Sequence, residues 1–290
     1  MDEKLPPPPR NINIFSQQWR DWLFRLYKYV FGNMNKDFFF EVSKGNVAGH
    51  SKEIKFGRNT ATTGGGTQDL IWSGGAFTYL TTASTIRIKA GGNAADTAAG
   101  TGARAVVIHG LDENYLEITD TLTTAGASAS TATTNTYLRV TRAYATIVGS
   151  SESNVGDISI EAVTGGTTQA YVPAGEGQTE QCFTTIPAGK TGYIIGTKRS
   201  LLDQEGAGTT QHLGHFKGWI RLYNEASNNN YEAWRNVFDS GLDTDGNTVN
   251  SSPEWLSDPI TEKADIRMTV ATQAANAEAD ARIFIILVDN

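Results

Sequence analysis

The sequence predicts a mainly β protein, in which an N-terminal extended, Pro-rich arm and a short amphipathic helix precede two β-sandwich or jelly-roll-like units. Short runs of β-branched and aromatic residues recur between Gly-containing turns, which is typical of sandwiches and barrels. Thr, Ala, Gly and Ser dominate residues 60–170, yet Ile, Val, Tyr and Leu return at alternate positions, which indicates folded strands and not disorder. Four consecutive prolines mark the beginning of the sequence as an extended segment.

The N-terminal segment begins with a stiff rod. Consecutive prolines fix φ and remove backbone donors, so they favour a polyproline II conformation that loses little entropy on docking. These residues are Pro6, Pro7, Pro8 and Pro9.

A helix capped by Ser16 is predicted to follow, because apolar residues recur at three- and four-residue steps. A helix of about fifteen residues is marginal in water unless its apolar stripe is covered. The stripe either packs on the chain's own β domain or is buried in another subunit or a larger assembly. We favour the second alternative, an anchor, because the extended rod leads away from the body. The stripe comprises Trp19, Trp22, Leu23, Leu26, Tyr27 and Val30, and the predicted partner-binding residues are its first five members together with the four prolines.

The β units are predicted from alternation and turn signals. Residues 38–42 are expected to form the first strand, residues 45–46 a turn and residues 53–56 the second strand. Residues 104–109 and 115–122 predict a hairpin, and the low-complexity tract 123–136 predicts a long loop or an exposed edge.

A short internal repeat suggests the domain boundary. Val172-Pro173-Ala174-Gly175 recurs as Ile186-Pro187-Ala188-Gly189, each a strand end that enters a turn. The predicted organisation is therefore an anchor at residues 1–36, a first β domain at 37–180 and a second at 181–290. Within the second, residues 198–204 predict a helical turn and residues 282–288 a strand in the centre of a sheet.

Charge and composition narrow the function classes. The formal net charge is −7, although residues 1–36 hold six Lys and Arg against three Asp and Glu. An acidic body argues against general nucleic-acid binding. One cysteine, Cys182, excludes an internal disulfide. No signal peptide and no membrane span are recognisable, so we expect synthesis in the cytoplasm.

Few residues suggest a catalytic or metal-binding site. His212 and His215 form H-x-x-H, but the surrounding Gly and Thr disfavour a helix, so a polar loop is expected instead of a metal site. A calcium loop is similarly disfavoured around residues 239–247, where Asp239, Asp243, Asp245 and Asn247 depart from the EF-hand order; a turn is expected.

The carboxylate pairs Asp112/Glu113 and Glu176/Glu180 lie in Gly-flanked stretches, with no apolar pocket expected to separate their pKa values as a glycosidase requires. Neither a G-x-S-x-G elbow nor a phosphate loop occurs. The sequence therefore predicts no catalytic residues, no cofactor and no metal. Four basic residues are expected on a solvated strand face: Arg87, Lys89, Arg139 and Arg142.

Aromatic residues are stronger candidates for a binding surface. Most are expected in the core, while a few exposed rings would stack on sugars or form a subunit interface. The residues concerned are Trp72, Phe77, Tyr79, Tyr115, Tyr137 and Tyr144.

Two stretches resemble virion proteins. LPPPPR followed by W-x-x-W-L-x-x-L-Y is similar to the virion-attachment start of fibre and tail accessory proteins of tailed bacteriophages. Residues 67–163 are similar to a β module common in structural proteins of phages and algal viruses, many of them marine. This likeness is carried by residues 71–75, 96–104, 110–112 and 137–140, and residues 172–178 and 284–290 also fit.

The resemblance implies a non-enzymatic, multi-copy structural component of a tailed-phage virion, assembled in the host cytoplasm. The expected position is the tail or head–tail region, in fibre attachment or a collar. Its expected partners are tail, portal or adaptor, or capsid proteins and further copies of itself in cyclic symmetry. The alternatives are a capsid decoration or vertex protein, and a receptor-binding module that holds a host surface glycan.

Overall fold

The computed structural model describes residues 19, 21–23, 26, 38–203, 213–227, 230–243, 249–251 and 257–290, and it confirms the prediction of a mainly β protein. The chain divides into two compact units, Met1–Lys52 and Glu53–Asn290. Helix α1 spans Phe38–Ser43. The strands are β1 (His50–Asn59), β2 (Gln68–Leu70), β3 (Ser84–Lys89), β4 (Ala103–Leu111), β5 (Glu117–Thr123), β6 (Thr136–Tyr137), β7 (Arg139–Val148), β8 (Ile158–Ala162), β9 (Thr168–Val172), β10 (Phe183–Thr185), β11 (Lys190–Asp203), β12 (Leu213–Arg221), β13 (Arg235–Asp243), β14 (Val249–Ser251), β15 (Asp265–Thr272) and β16 (Ala277–Asp289).

The prediction of a strand at residues 38–42 is wrong, because this segment forms α1. Three consecutive phenylalanines favour a strand by propensity, but the local capping favours a helix. Gly45 adopts a positive φ of 73° and donates its N–H to the carbonyl of Val42, which closes the last turn. The Asn46 amide donates to the Glu41 carboxylate at 2.6 Å.

The first sandwich is built from β3 to β9 in two antiparallel sheets. One sheet has the order β6-β3-β8-β9 and the other β5-β4-β7. Alternation drives this arrangement: along β3 every second side chain is buried, and Ile86 and Ile88 face the core shared with Val106, Ile108 and Tyr137. The predicted hairpin of residues 104–109 and 115–122 is confirmed as β4 and β5.

The tract 123–136 lies along the open edge of β3. Ser130 and Thr133 donate their backbone N–H groups to the carbonyls of Ile88 and Ile86. Their hydroxyl oxygens accept the N–H groups of the same two residues, at 3.0 and 2.9 Å. Side-chain hydroxyls thus replace the carbonyls of a neighbouring strand, which explains why a segment rich in Ser and Thr occupies this position.

The second sandwich combines strands from both ends of the chain. One sheet has the order β1-β16-β11-β14; the other has the order β10-β15-β12-β13, with β2 also paired to β15. Its core includes Phe216, Ile266 and Met268 from one sheet and Ile283 and Ile285 from the other. The predicted strand at residues 53–56 is confirmed as part of β1, and β16 lies in the interior of its sheet.

The strands divide differently from the predicted ranges 37–180 and 181–290. β1 and β2 precede residue 180, yet they pair with β16 and β15. The first sandwich is therefore inserted into the second. The chain leaves the second sandwich and re-enters it at neighbouring positions. Cys182 donates its N–H to the carbonyl of Ile71 at 3.0 Å, and Trp72 forms a bridge with Gln181.

The predicted helical turn at residues 198–204 is wrong for residues 198–203, which continue β11 and pair with β16. Arg199 and Leu201 are buried while Leu202 is 44% exposed, a period of two that suits a strand. The burial of alternate side chains and the pairing with β16 override the local helical preference.

Candidate functional site

The predicted anchor falls largely outside the described residues, which include neither the four prolines, Pro6 to Pro9, nor Tyr27. Trp19, Trp22, Leu23 and Leu26 have helical backbone where they are described. The rings of Trp19 and Trp22 meet edge to face at 5.5 Å between centroids, and Leu23 is 47% exposed. The role of this helix as an anchor stays a prediction.

Helix α1 adds aromatic side chains to the N-terminal unit. Phe38 and Phe40 are 47% and 59% exposed. The Phe38 ring meets that of His50 edge to face at 5.7 Å, and the Lys44 ammonium lies 5.2 Å from the centre of the Phe40 ring. Sequence reasoning missed this surface because it assigned the phenylalanines to a strand. The Gly45-Asn46 pair, which caps the helix, is the signal that identifies it.

A buried charged cluster joins the two sandwiches. Asp265 on β15 is fully buried and accepts hydrogen bonds from Arg139 on β7, at 3.2 Å to each oxygen, and from Arg221 on β12, at 2.6 and 2.8 Å. Thr185 also donates its hydroxyl to this carboxylate. The prediction that Arg139 lies on a solvated face is wrong, because that face of β7 packs against the second sandwich.

Aromatic rings enclose Arg139. The guanidinium lies 4.9 Å from the ring centre of Tyr79 and 5.9 Å from that of Tyr115, and it donates to the Tyr231 hydroxyl at 2.9 Å. Burial alone would lower the pKa of Arg139, but the Asp265 carboxylate outweighs it and the pKa is raised. Arg139 therefore remains charged, and the ion pair fixes the sandwiches relative to each other.

Of the aromatic residues named from the sequence, Trp72, Tyr115 and Tyr137 are core residues. Tyr137 is fully buried and donates its hydroxyl to Asp120 at 2.7 Å. Trp72 is 3% exposed and donates its indole N–H to the carbonyl of Gly75 at 2.6 Å. Tyr144 stacks on His109, with ring centroids 5.6 Å apart.

The carboxylate pairs do not behave alike. Asp112 accepts the backbone N–H groups of Asn114 and Leu116 at 2.8 and 2.9 Å, so it shapes the hairpin turn. Glu180 is only 3% exposed, and burial, assisted by the nearby Glu176, raises its pKa to about 7. The expectation that no burial separates the pKa values of a pair is therefore wrong for Glu180.

The metal candidates receive little support from the described residues. His212, Asp245 and Asn247 lie outside them, whereas His215 contacts Asp239 on the neighbouring strand. Within the described ranges, no three His, Cys, Asp or Glu side chains are placed to hold a metal ion. The same ranges contain no helix with the length and apolar character needed to cross a membrane.

The surface of the Glu53–Asn290 unit includes a cleft and a larger groove. A cleft of about 150 Å³ includes Glu53, His109 and Glu117 in its lining, but Glu53 pairs with Lys55 and Glu117 with Lys190, each at 2.7 Å. Its carboxylates are thus already compensated. A larger groove, of about 630 Å³, lies on the outer face of β12, β13 and β15.

Comparisons with known proteins give weak similarities. No protein-family model matches the chain, and no curated protein does either. Among solved structures, the chain is similar to the VP2 subviral particle of infectious bursal disease virus at 10% identity, covering 83% of this chain and 72% of that chain with a TM-score of 0.23. It is also similar to the structure of the Gt strain of this virus at 9% identity, covering 88% and 81% of the two chains with a TM-score of 0.14. These TM-scores are below the level of a shared fold.

Proposed function

We propose that the protein is a non-enzymatic, multi-copy structural component of a tailed-phage virion. Its N-terminal unit anchors it to the tail or head–tail region, in fibre attachment or a collar. The body supplies shape, and the anchor supplies attachment.

The observation that carries this proposal is the apolar exposure of the N-terminal unit. Leu23, Phe38 and Phe40 each expose about half of their side-chain surface. Large exposed apolar side chains that lie close together in sequence are typical of a surface that another protein covers. The Pro-rich sequence before them favours an extended segment that docks at little entropic cost.

The body supports a structural role through its rigidity. Asp265, Arg139 and Arg221 join the two sandwiches through a buried ion-pair cluster. In addition, the chain crosses between the sandwiches twice at adjacent positions, Ile71 and Cys182. We expect such a body to keep its shape when neighbouring virion proteins bind to it.

A deletion tests the anchor. Particles are assembled in the presence of the full-length chain or of a chain that lacks residues 1–31, and the copy number per particle is measured by quantitative mass spectrometry. We expect the truncated chain to fold, with an unchanged far-UV spectrum, and to lose incorporation. Full incorporation of the truncated chain would contradict the proposal.

Point variants separate the anchor from general surface effects. Phe40→Ser removes an exposed ring of the N-terminal unit, whereas Val237→Ser removes a side chain that is 49% exposed on β13. We expect Phe40→Ser to reduce incorporation by about tenfold, because the proposed interface covers this ring. Val237→Ser is expected to incorporate as the parent chain does. Electron microscopy of labelled particles then distinguishes density at the tail from density spread over the shell.

A further inference from the structure

The outer face of β12 and β15 in the second sandwich extends from an open groove to the buried junction with the first sandwich. On β12 the outward positions are His215, Lys217, Trp219 and Arg221, and on β15 they are Asp265, Arg267, Thr269 and Ala271. The alternate residues of both strands face the core. Of the three basic residues, Arg221 is paired with the buried Asp265 and Lys217 lies opposite Asp239 in the register. Arg267 has no ion pair among the described residues.

Arg267 is the exceptional residue of this face. Within the described part of the chain it makes no hydrogen bond or ion pair, and its Nε is buried without a partner. The nearby carboxylate, Asp265, is already engaged by Arg139 and Arg221. Burial, and repulsion from Arg221, lower the pKa of Arg267. A half-buried guanidinium without a counter-ion is unfavourable, so an anion bound beside it would be strongly favoured.

A second unsatisfied donor belongs to a residue that packs on the same side chain as Arg267 does. The Tyr79 hydroxyl is buried and has no hydrogen-bond partner among the described residues. Tyr79 and Arg267 both pack on Trp234, with 6.0 Å between the Tyr79 and Trp234 ring centroids and 4.0 Å from the Arg267 guanidinium to the Trp234 ring. One carboxylate with two oxygens would satisfy both donors.

The face next to Arg267 suits a sugar ring. Trp219 lies opposite Arg267 in the register, and its indole N–H donates to the Thr269 hydroxyl at 2.8 Å, which in turn donates to the Gln68 side chain at 2.6 Å. The indole is therefore held by an internal hydrogen bond while the residue remains partly exposed. An oriented, partly exposed aromatic ring beside amide and hydroxyl groups is a surface on which a sugar stacks.

The groove of about 630 Å³ continues this face. It is lined by Gln68, His215, Lys217, Gly241 and Ala271, so that polar side chains border a small-residue floor. From Arg267 to Ala271 the strand advances about 13 Å, at about 3.3 Å per residue, which accommodates more than one ring. Gly241 contributes to the open volume, because a Cβ at this position meets no atom within 4 Å.

We propose that this outer face of β12 and β15 binds a carboxylate-bearing oligosaccharide. Arg267 and the Tyr79 hydroxyl take the carboxylate, Trp219 stacks on a ring, and the groove at Lys217 and Gly241 holds the adjoining sugars. The Arg267 guanidinium, which has no ion pair among the described residues, selects acidic over neutral saccharides. A nucleic acid is disfavoured because the basic surface is confined to a few side chains.

The test uses the full-length chain and matched saccharides. An array carries sialylated and uronic-acid oligosaccharides, each beside its carboxyl-reduced form, and the best ligand is then titrated by calorimetry. We expect at least one acidic saccharide to bind at least about tenfold more tightly than its reduced form, with an affinity that falls as salt is added. If no acidic saccharide binds in preference to its reduced form, the proposal fails.

Point variants test which residues form the proposed saccharide site. Arg267→Gln and Tyr79→Phe each remove one unsatisfied donor, so we expect about a tenfold loss of affinity or more with an unchanged or higher Tm. A merely structural role would instead lower the Tm. Arg87→Gln, which removes an arginine of the first sandwich, is the charge control and is expected to leave affinity unchanged.

A third variant keeps the test independent of the buried donors. Gly241→Phe fills the groove from a position with open space, so binding should fall while the Tm stays near that of the parent. Unchanged affinity in Arg267→Gln and in Gly241→Phe would overturn the proposed site. Particle incorporation is unaffected by these outcomes, so the structural role is tested separately.

Discussion

Glu180 illustrates, at the scale of single residues, how burial changes the chemistry of an ordinary side chain. Its carboxylate is 3% exposed, accepts the Ser73 hydroxyl at 3.3 Å and lies near Glu176. The sequence places it between glycine-containing turns and gives no sign of this burial. Arg139 is a second example of a polar side chain whose burial the sequence does not reveal. Its position in the alternation of β7 assigns it to one face of the sheet, but only the packing of the two sandwiches buries that face.

The raised pKa of Glu180 predicts a pH dependence. Because its pKa is about 7 in the folded state and 4.5 when unperturbed, the folded protein binds the proton more tightly. Stability from this group is therefore fully present below about pH 4.5 and is lost as the pH rises to about 7. We expect Glu180→Gln to raise the Tm at pH 8 by about 2–4 °C, and by less at pH 5, in differential scanning calorimetry.

Glu113→Gln is the control for this prediction, because Glu113 is exposed in the β4–β5 hairpin. It is expected to change the Tm little at either pH. An equal effect of Glu180→Gln at pH 5 and pH 8 would show that the carboxyl titrates normally.

At the scale of elements, alternation was a sound guide and local chemistry decided the exceptions. The strands β3 and β5 follow the period of two that the sequence displays, whereas the alternation of β4 is interrupted where its register with β7 shifts. Helix α1 and the C-terminal half of β11 were predicted incorrectly, since six-residue segments carry too little periodicity to separate helix from strand. Capping at Gly45 favours the helix in α1, and pairing with β16 favours the strand in β11.

Gly57 on β1 gives a prediction at this scale. A Cβ at this position would collide with the carbonyl oxygen of Ile71 and the nitrogen of Cys182, two atoms that share a hydrogen bond where the chain leaves and re-enters the second sandwich. We expect Gly57→Ala to lower the free energy of unfolding by about 1–3 kcal/mol, measured by urea denaturation.

Gly241→Ala is the matched control, because its Cβ enters open space on β13. We expect a change within about 0.5 kcal/mol. Similar losses in the two alanine variants would indicate that strand propensity, and not the close approach at Gly57, sets the effect.

At the scale of the whole molecule, the insertion of one sandwich into the other is the main structural fact. Asp265 stands at the junction and compensates Arg139 from the first sandwich and Arg221 from the second. A buried ion pair contributes no more net stability than well-packed apolar residues of similar volume often do, but removing one partner leaves the others uncompensated. The junction therefore depends on this carboxylate.

Asp265→Asn is expected to lower the free energy of unfolding by about 3–5 kcal/mol, because two buried guanidiniums lose their counter-ion. Equilibrium urea unfolding measures the loss. Glu161→Gln, which removes the partner of the one-third exposed Arg87, is expected to lower it by at most about 1 kcal/mol. Equal losses would mean that the junction contributes no more than a surface ion pair.

The sequence by itself determined the mainly β class, the β4–β5 hairpin and the strand within β1, because these depend on local alternation and turn chemistry. Only the tertiary structure decided that β1 and β2 pair with β16 and β15, about two hundred residues away, and that Arg139 meets Asp265. The physical reason is that a strand's alternation specifies which side chains are buried but not which distant strand or sheet buries them.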